Sequence, residues 1–202
     1  NRVLAGKTDN AFCAVRPPGH HAEHNTPMGF CFFNNVAIGA MQALQHPQVN
    51  RVAVVDFDVH HCNGTVDIFK DKPEVLVCST FQHPYYPERY CDIKRPNIVN
   101  CPMPAHSDSA FFRNIVEKQW LPALQNHKPD KIFISAGFDA HHEDPMADIN
   151  LNEDDYRWVT KLLMDVARVY SQGRLVSVLE GGYNPVALAF SVEAHVETLA
   201  GY

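Results

Sequence analysis

The sequence predicts one α/β domain, layered around a mostly parallel sheet. Three observations carry this. Four runs rich in Val, Ile and Leu, at 52–55, 75–78, 131–134 and 175–179, show no polar alternation, which is the pattern of strands covered on both faces. Helical segments with an apolar stripe separate these runs, so strands and helices alternate along the chain. The length of 202 residues suits a single domain with a sizeable core, and no repeat, low-complexity tract or linker divides it.

Each element follows in order. Residues 11–15, Ala-Phe-Cys-Ala-Val, read as a short first strand. Pro17, Pro18 and Gly19 then forbid regular structure and hold the following His20 and His21 in a defined loop. Asn34-Asn35 caps a helix whose stripe is Val36, Ala37, Ala40, Met41 and Leu44, and which ends near His46-Pro47. The run from Arg51 to Val55 is the organising strand. After the turn at 62–65, Val66 to Phe69 makes one helical turn. Residues 75–80 form the second buried strand, and Ile98 to Cys101 fits an edge strand. Ser109 caps a helix bearing Phe111, Phe112, Ile115, Val116, Trp120 and Leu124, which Pro122 bends or restarts. Residues 131–136 form the next strand. Asn152, with Asp155 as capping acid, opens a helix with the stripe Tyr156, Val159, Leu162, Leu163, Val166 and Tyr170, which Gly173 ends. Residues 175–179 are the last strand, and a helix from about 185 to 199 closes the chain.

Composition excludes several classes. The net charge is −6 and there is no basic run, so no nucleic-acid footprint is expected. No segment approaches the length of apolar chain that spans a membrane, and no signal-peptide pattern opens the chain. Six Cys, none in a Cys-x-x-Cys pair, point to reduced thiols and a cytoplasmic setting. The chain opens at Asn1 with no Met, directly before functional-looking residues, which suggests a fragment.

The chemistry gathers at the carboxyl ends of the strands. Asp56, Asp58 and His60 share one face while the chain stays extended. Two acids and an imidazole at the end of a buried strand are costly unless a cation or hydrogen bonds satisfy them. Asp139 follows the third run and Tyr183, after Gly181-Gly182, follows the fourth. Two carboxylates and one imidazole leave coordination positions open, as a catalytic Zn²⁺ or similar divalent ion requires. Asp56 serves either as a further ligand or as an imidazole partner. His20 and His21 are candidate general bases, and the Tyr183 hydroxyl can donate to a developing oxyanion. The stiff loop Tyr85-Tyr86-Pro87 is either a ligand wall or a packed surface loop. His141 and His142 take no role. These parts fit metal-assisted hydrolysis of an amide.

Five motifs, Arg16-Pro17-Pro18-Gly19-His20-His21-Ala22, Gly29-Phe30-Cys31-Phe32, Asp56-Phe57-Asp58-Val59-His60-His61, Gly137-Phe138-Asp139 and Glu180-Gly181-Gly182-Tyr183, run in one order across the chain. In them the sequence resembles the zinc-dependent histone deacetylase family, in its class II-like branch of bacterial deacetylase-like amidohydrolases and acetylpolyamine amidohydrolases. The resemblance implies an arginase/deacetylase-like three-layer α/β/α fold. It also implies that residues 1–202 are a partial catalytic domain lacking its amino- and carboxy-terminal parts. It implies one Zn²⁺ per chain on Asp58, His60 and Asp139, with a K⁺ ion near Asp56, Asp58, His60 and Ser79. His21 would be the general base and acid, with Asn63 beside it. As a neutral partner, Asn63 should leave His21 less basic than an Asp would. His20 would be the electrostatic partner, paired with Asp56, and Tyr183 would polarise the acyl carbonyl. Phe30 and Tyr86 would wall the channel, Gly29 would lend a backbone contact, and Met146 would guard the rim. Cys62 stands where the family usually has Gly, and would be strained if the backbone there needs φ > 0. Tyr86 stands where Phe is commoner.

The expected activity is removal of an acyl group from acylated lysine or a similar acylated amine. An acetylpolyamine amidohydrolase is the alternative within enzymes, and the uncharged Met146 argues mildly against it. A catalytically inert truncated relative, acting as a binding or scaffold protein, is the alternative from another class.

Overall fold

The computed structural model describes residues 1–202. The elements are β1 (Asn10–Cys13), α1 (Asn35–Leu44), β2 (Val52–Asp56), α2 (Asn63–Phe69), β3 (Val75–Gln82), β4 (Ile98–Met103) and α3 (Ser109–Ile115). A π-helical stretch (Val116–Trp120) leads into α4 (Leu121–His127), followed by β5 (Lys131–Ala136), α5 (Glu153–Tyr170), β6 (Leu175–Leu179) and α6 (Pro185–Ala200). The six strands form one sheet in the order β1-β6-β5-β2-β3-β4, and every pairing is parallel.

The runs lack polar alternation because helices cover both faces. Ala53, Val55, Ile132 and Ile134 turn to one face, under Phe112, Trp120, Leu124, Tyr156 and Leu163 from the α3–α5 side. Val52, Val54, Val77 and Phe133 turn to the other, under Val36, Ala37 and Ala40 of α1 and Val66 and Phe69 of α2. The period of two along a strand thus sorts alternate residues into two cores.

Helix ends follow local chemistry. The Asn34 side chain accepts from Ala37 N–H at 3.0 Å, and Asn152 with Asp155 forms a capping box. Ser109 does not cap α3: Asp108 does, accepting from Phe111 N–H at 3.0 Å. Asp108 holds the extended backbone that a cap requires. Ser109, one residue inside the helix, instead donates to Asp155 Oδ2 at 2.6 Å. Pro122 restarts the helix, since the turns before it widen to π geometry where its missing N–H interrupts the ladder.

The strand order reverses between β2 and β5. From β2 the chain moves outward to β3 and β4, and from β5 it moves the other way to β6. Loops leaving the carboxyl ends of these two neighbours diverge and open a crevice, the usual ligand position in such sheets. No helix is long and apolar enough to cross a membrane, and all six cysteines are free thiols.

His195 of α6 is fully buried. Thr160 Oγ1 spends its hydrogen on Tyr156 C=O at 2.6 Å, so it accepts from His195 Nδ1 at 2.6 Å. His195 Nε2 is then left to accept from the Ser177 hydroxyl at 2.8 Å. A neutral ring is satisfied at both nitrogens, and burial pushes its pKa down to about 3. An unfolded His titrates near 6.5. This group's contribution is therefore complete above about pH 6.5. It is lost as pH falls towards 3, because the unfolded chain takes up a proton that the folded chain refuses. Over that window unfolding free energy should fall with a slope up to about 1.4 kcal/mol per pH unit steeper than in His195→Gln. Urea melts of both proteins at a series of pH values measure the difference. Parallel slopes would mean that His195 does not titrate differently on folding.

Candidate active site

Three acidic or imidazole groups meet in the crevice. Asp58 lies just beyond β2 and His60 two residues later, while Asp139 lies just beyond β5. One donor atom from each lies within 4.8 Å of the other two, and all three residues are buried. His60 enters through Nδ1, 3.1 Å from Asp58 Oδ1 and 3.2 Å from Asp139 Oδ2. Backbone amides orient the acids. Asp58 Oδ2 accepts from Gly181 N–H at 2.8 Å, Asp58 Oδ1 from His60 N–H at 2.9 Å, and Asp139 Oδ1 from Val59 N–H at 2.9 Å. A β-carbon on Gly181 would collide with Asp139 Oδ2, so only glycine lets β6's loop close over the acids.

The cluster suits a divalent cation. Asp139 Oδ2 is buried and, despite its nearness to His60, receives no hydrogen bond. Burial and the Asp58 carboxylate push Asp139 up to about 6. Burial alone would lower His60, but the two acids outweigh it and raise it to about 11. Negative charge is thus in excess, and Asp58, His60 and Asp139 could coordinate a divalent metal.

Above the cluster sit the tandem histidines, ring centroids 4.0 Å apart. His20 Nδ1 lies 3.0 Å from Asp56 Oδ2. The other Asp56 oxygen accepts from Asp58 N–H at 3.0 Å, so Asp56 partners an imidazole and stays outside the metal cluster. His21 Nδ1 meets Asn63 Oδ1 at 2.7 Å. Burial lowers both rings, but Asp58 and Asp56 reverse this for His20 and raise it to about 10. For His21, burial and the His20 charge act together and hold it well below the ordinary value. Glu180 fixes the loop itself, accepting from Gly19 N–H at 2.6 Å and His20 N–H at 3.1 Å through one oxygen, and from Ser135 Oγ at 3.1 Å through the other.

A cleft of about 400 Å³ descends onto this group. His21, His60 and Tyr183 lie at its inner end, and Gly29, Phe30, Tyr85, Tyr86 and Met146 form its walls and rim. Tyr86 stands edge-on to His21, with centroids 5.2 Å apart, and Tyr85 stacks along His60 at 5.8 Å. A larger concavity, about 740 Å³, lies against α1 beside Phe33 and Ile38. It lacks any comparable cluster, so the smaller cleft is the candidate site. Burial raises the Tyr183 phenol above its ordinary range, which keeps its proton for donation.

The structure gathers every residue singled out in the sequence: Asp58, His60, Asp139, His20, His21, Asp56, Asn63, Tyr183, Gly29, Phe30, Tyr86 and Met146 all lie at the cluster, its imidazoles or the cleft. Tyr86 lines the cleft. Cys62 is not strained: its φ is −78°, and its side chain packs in the α1–α2 core. Four residues gain roles that motif reading did not assign. Glu180 binds the histidine loop, and Glu23 binds Asn63 Nδ2 at 2.7 Å. Asp144 Oδ2 accepts from Tyr183 N–H at 2.7 Å and Asn184 N–H at 3.1 Å. Tyr85 donates to Met146 C=O at 2.6 Å. Glu180 was legible as an acid after a buried strand. Tyr85 lay in the aromatic loop between prolines that the sequence marked, though its bond to Met146 did not show there. Glu23 and Asp144 lie in loops without periodicity, where no local signal marks them.

Comparison with known proteins bears on this geometry. The model of the histone deacetylase domain matches residues 1–199. The chain is 44% identical to an uncharacterised protein, slr0245, of Synechocystis sp., over 97% of this chain and 63% of that one. It is 38% identical to the histone deacetylase-like amidohydrolase of Pseudomonas aeruginosa, over 98% of this chain and 54% of that one. Among solved structures, the HD domain of HDA15 superposes with a TM-score of 0.90 at 32% identity, covering 100% of this chain and 60% of that one. The chain therefore spans between about half and two thirds of these relatives' lengths.

Removing one donor tests the cluster directly. Asp139→Ala should weaken divalent-metal binding by about a hundredfold or more, read as metal content after dialysis against a competing chelator. Unchanged metal content in that variant would remove Asp139 from the site.

Proposed function

The chain belongs to the histone deacetylase family, and on that premise we propose that it is a metal-dependent amide hydrolase that removes an acyl group, typically acetyl, from acylated lysine or a similar amine. The observation that carries this reading is the alignment along one cleft of an aromatic entrance, a phenol, an imidazole with a free nitrogen and a metal-binding cluster. A narrow apolar passage accommodates the methylenes of a lysine side chain, while the polar inner end meets the amide.

Zinc is the ion favoured by a donor set of one imidazole and two carboxylates, and when bound it supplies a Lewis acid that polarises a carbonyl and acidifies water. The chain's own groups do the rest. His21, with Nδ1 occupied by Asn63, has Nε2 to take a proton from the attacking water and return it to the departing amine. His20, held by Asp56, lends positive charge beside the reacting atoms. Tyr183 donates its hydroxyl to the carbonyl oxygen as that oxygen gains charge. Phe30 and Tyr86 keep the acyl-lysine stem straight and exclude water. Potassium beside Asp56 belongs to the same reading. Ser79, paired with Asp56 across β2 and β3, has a buried hydroxyl without a hydrogen-bond partner, which suits a nearby cation. An acylated lysine peptide is favoured over an acetylpolyamine because Met146 at the rim offers no charge to a distant ammonium.

Tyr183→Phe tests the mechanism, since it keeps the ring and removes one donor. Such a donor is worth about 3 kcal/mol, so kcat on an acetyl-lysine peptide should fall roughly a hundredfold, with metal content and Tm unchanged. Wild-type kcat in that variant would rule out two-point activation of the carbonyl. Parallel assays on acetylated putrescine and an acetyl-lysine peptide decide the substrate class.

A further inference from the structure

We propose that Glu23 is a positioning residue: clamped by Arg89, it fixes the orientation of the Asn63 amide and thereby sets which nitrogen of His21 carries the proton. The inference rests on the reading of His21 as the proton-transfer group.

A carboxamide has nearly the same shape in either orientation, and only its neighbours decide which end is oxygen. Toward His21, Asn63 presents Oδ1, 2.7 Å from Nδ1. On its other side the amide nitrogen faces acceptors alone: Glu23 Oε1 at 2.7 Å, Met28 Sδ at 3.1 Å and His21 C=O at 3.3 Å. The thioether is a weak acceptor and the carbonyl contact is long, so the carboxylate dominates. Turning the amide over would set oxygen against oxygen with no hydrogen between them. The far oxygen of Glu23 lies 3.0 Å from Arg89 Nη2, and the Glu23 side chain is only 5% exposed. The carboxylate is thus held in place from the solvent side.

The chain of consequences runs inward. Glu23 accepts, so Asn63 must donate to it. Asn63 Oδ1 then faces His21 and can only accept, so His21 carries its proton on Nδ1. Nε2 remains unprotonated, the form a base requires. The same geometry accounts for Asn at position 63. An Asp there would place its carboxylate against that of Glu23, whereas the amide bridges carboxylate and imidazole with one hydrogen bond in each direction. Residues 23 and 63 therefore act as a unit.

The test uses Glu23→Gln, Asn63→Asp and the double variant, each as the metal-loaded protein, with ¹⁵N-histidine spectra assigned through His21→Ala. In the parent protein the His21 ring should show the Nδ1–H tautomer. Glu23→Gln lets residue 23 offer either end of an amide, so that tautomer should lose population. In that variant kcat should fall about tenfold with KM within about twofold. Asn63→Asp should fall about a hundredfold. Adding Glu23→Gln to Asn63→Asp should restore about tenfold of that loss, because Gln can donate to the new carboxylate. Arg89→Ala, at the surface end of the chain, gives the same direction more weakly and serves if Glu23→Gln does not fold. An equal penalty for Asn63→Asp in both backgrounds, or an unchanged tautomer in both Glu23→Gln and Arg89→Ala, overturns the proposal. Absence of hydrolysis in every form would instead defeat the proposed function, while the spectra would still decide the inference.

Discussion

Burying two carboxylates at the ends of adjacent strands is the constraint on which the site depends. Asp58 and Asp139 are each about 1% exposed, and no lysine or arginine pairs with either. The nearby charges that favour their ionised forms are imidazoles. Every group around them is arranged to relieve that excess: amide N–H groups of Val59, His60 and Gly181 point at their oxygens, and His60 Nδ1 sits between them. Even so, Asp139 Oδ2 is left without a donor. An acceptor buried without a partner is expensive for folding alone. It becomes useful when a cation completes it. The divergence of the chain between β2 and β5 makes room for such an ion, so the fold's topology and the site's charge lead to the same place.

Much of this was legible in the sequence because the two periodicities are clean. Strands buried on both faces show as unbroken Val and Ile runs, and their carboxyl ends show as abrupt changes to Asp and His. The four strands of the apolar runs and the edge strand β4 lie where the sequence placed them. The ambiguity at the start of α3 is physical: Asp108 and Ser109 are both good caps, and only the backbone path chooses. Cys62 misled for a related reason. A residue standing for a usual Gly suggests strain only if the backbone is left-handed, and here it is not. In this turn the position without room for a side chain is Gly64, whose β-carbon would collide with the Ala22 carbonyl.

What the sequence hid are contacts between loops. Glu23 and Asn63 are 40 residues apart, and neither has a periodicity that announces the other. No role was legible in the sequence for His141 and His142, beyond a place behind the site or at the surface. They stack at 4.4 Å, and His142 N–H donates to Leu151 C=O at 2.9 Å, closing the base of the loop from β5 to α5. Their work is to hold that loop's shape.

That loop joins the proposed chemistry to the proposed specificity. It begins with Asp139 in the metal cluster. Five residues on, Asp144 accepts the backbone N–H groups of Tyr183 and Asn184, which fixes where the phenol starts from. Asp144 also accepts from Met146 N–H at 3.0 Å, and the Met146 carbonyl is tied to Tyr85 across the rim. The proposed metal ligand, oxyanion donor and rim are thus connected through one carboxylate and one short run of chain. A substitution that moves the rim at Met146 therefore acts on the backbone that carries Tyr183. The proposed selectivity and rate are linked by geometry, because the residue at the mouth of the cleft is hydrogen-bonded through its backbone N–H to the same acid that anchors its inner end.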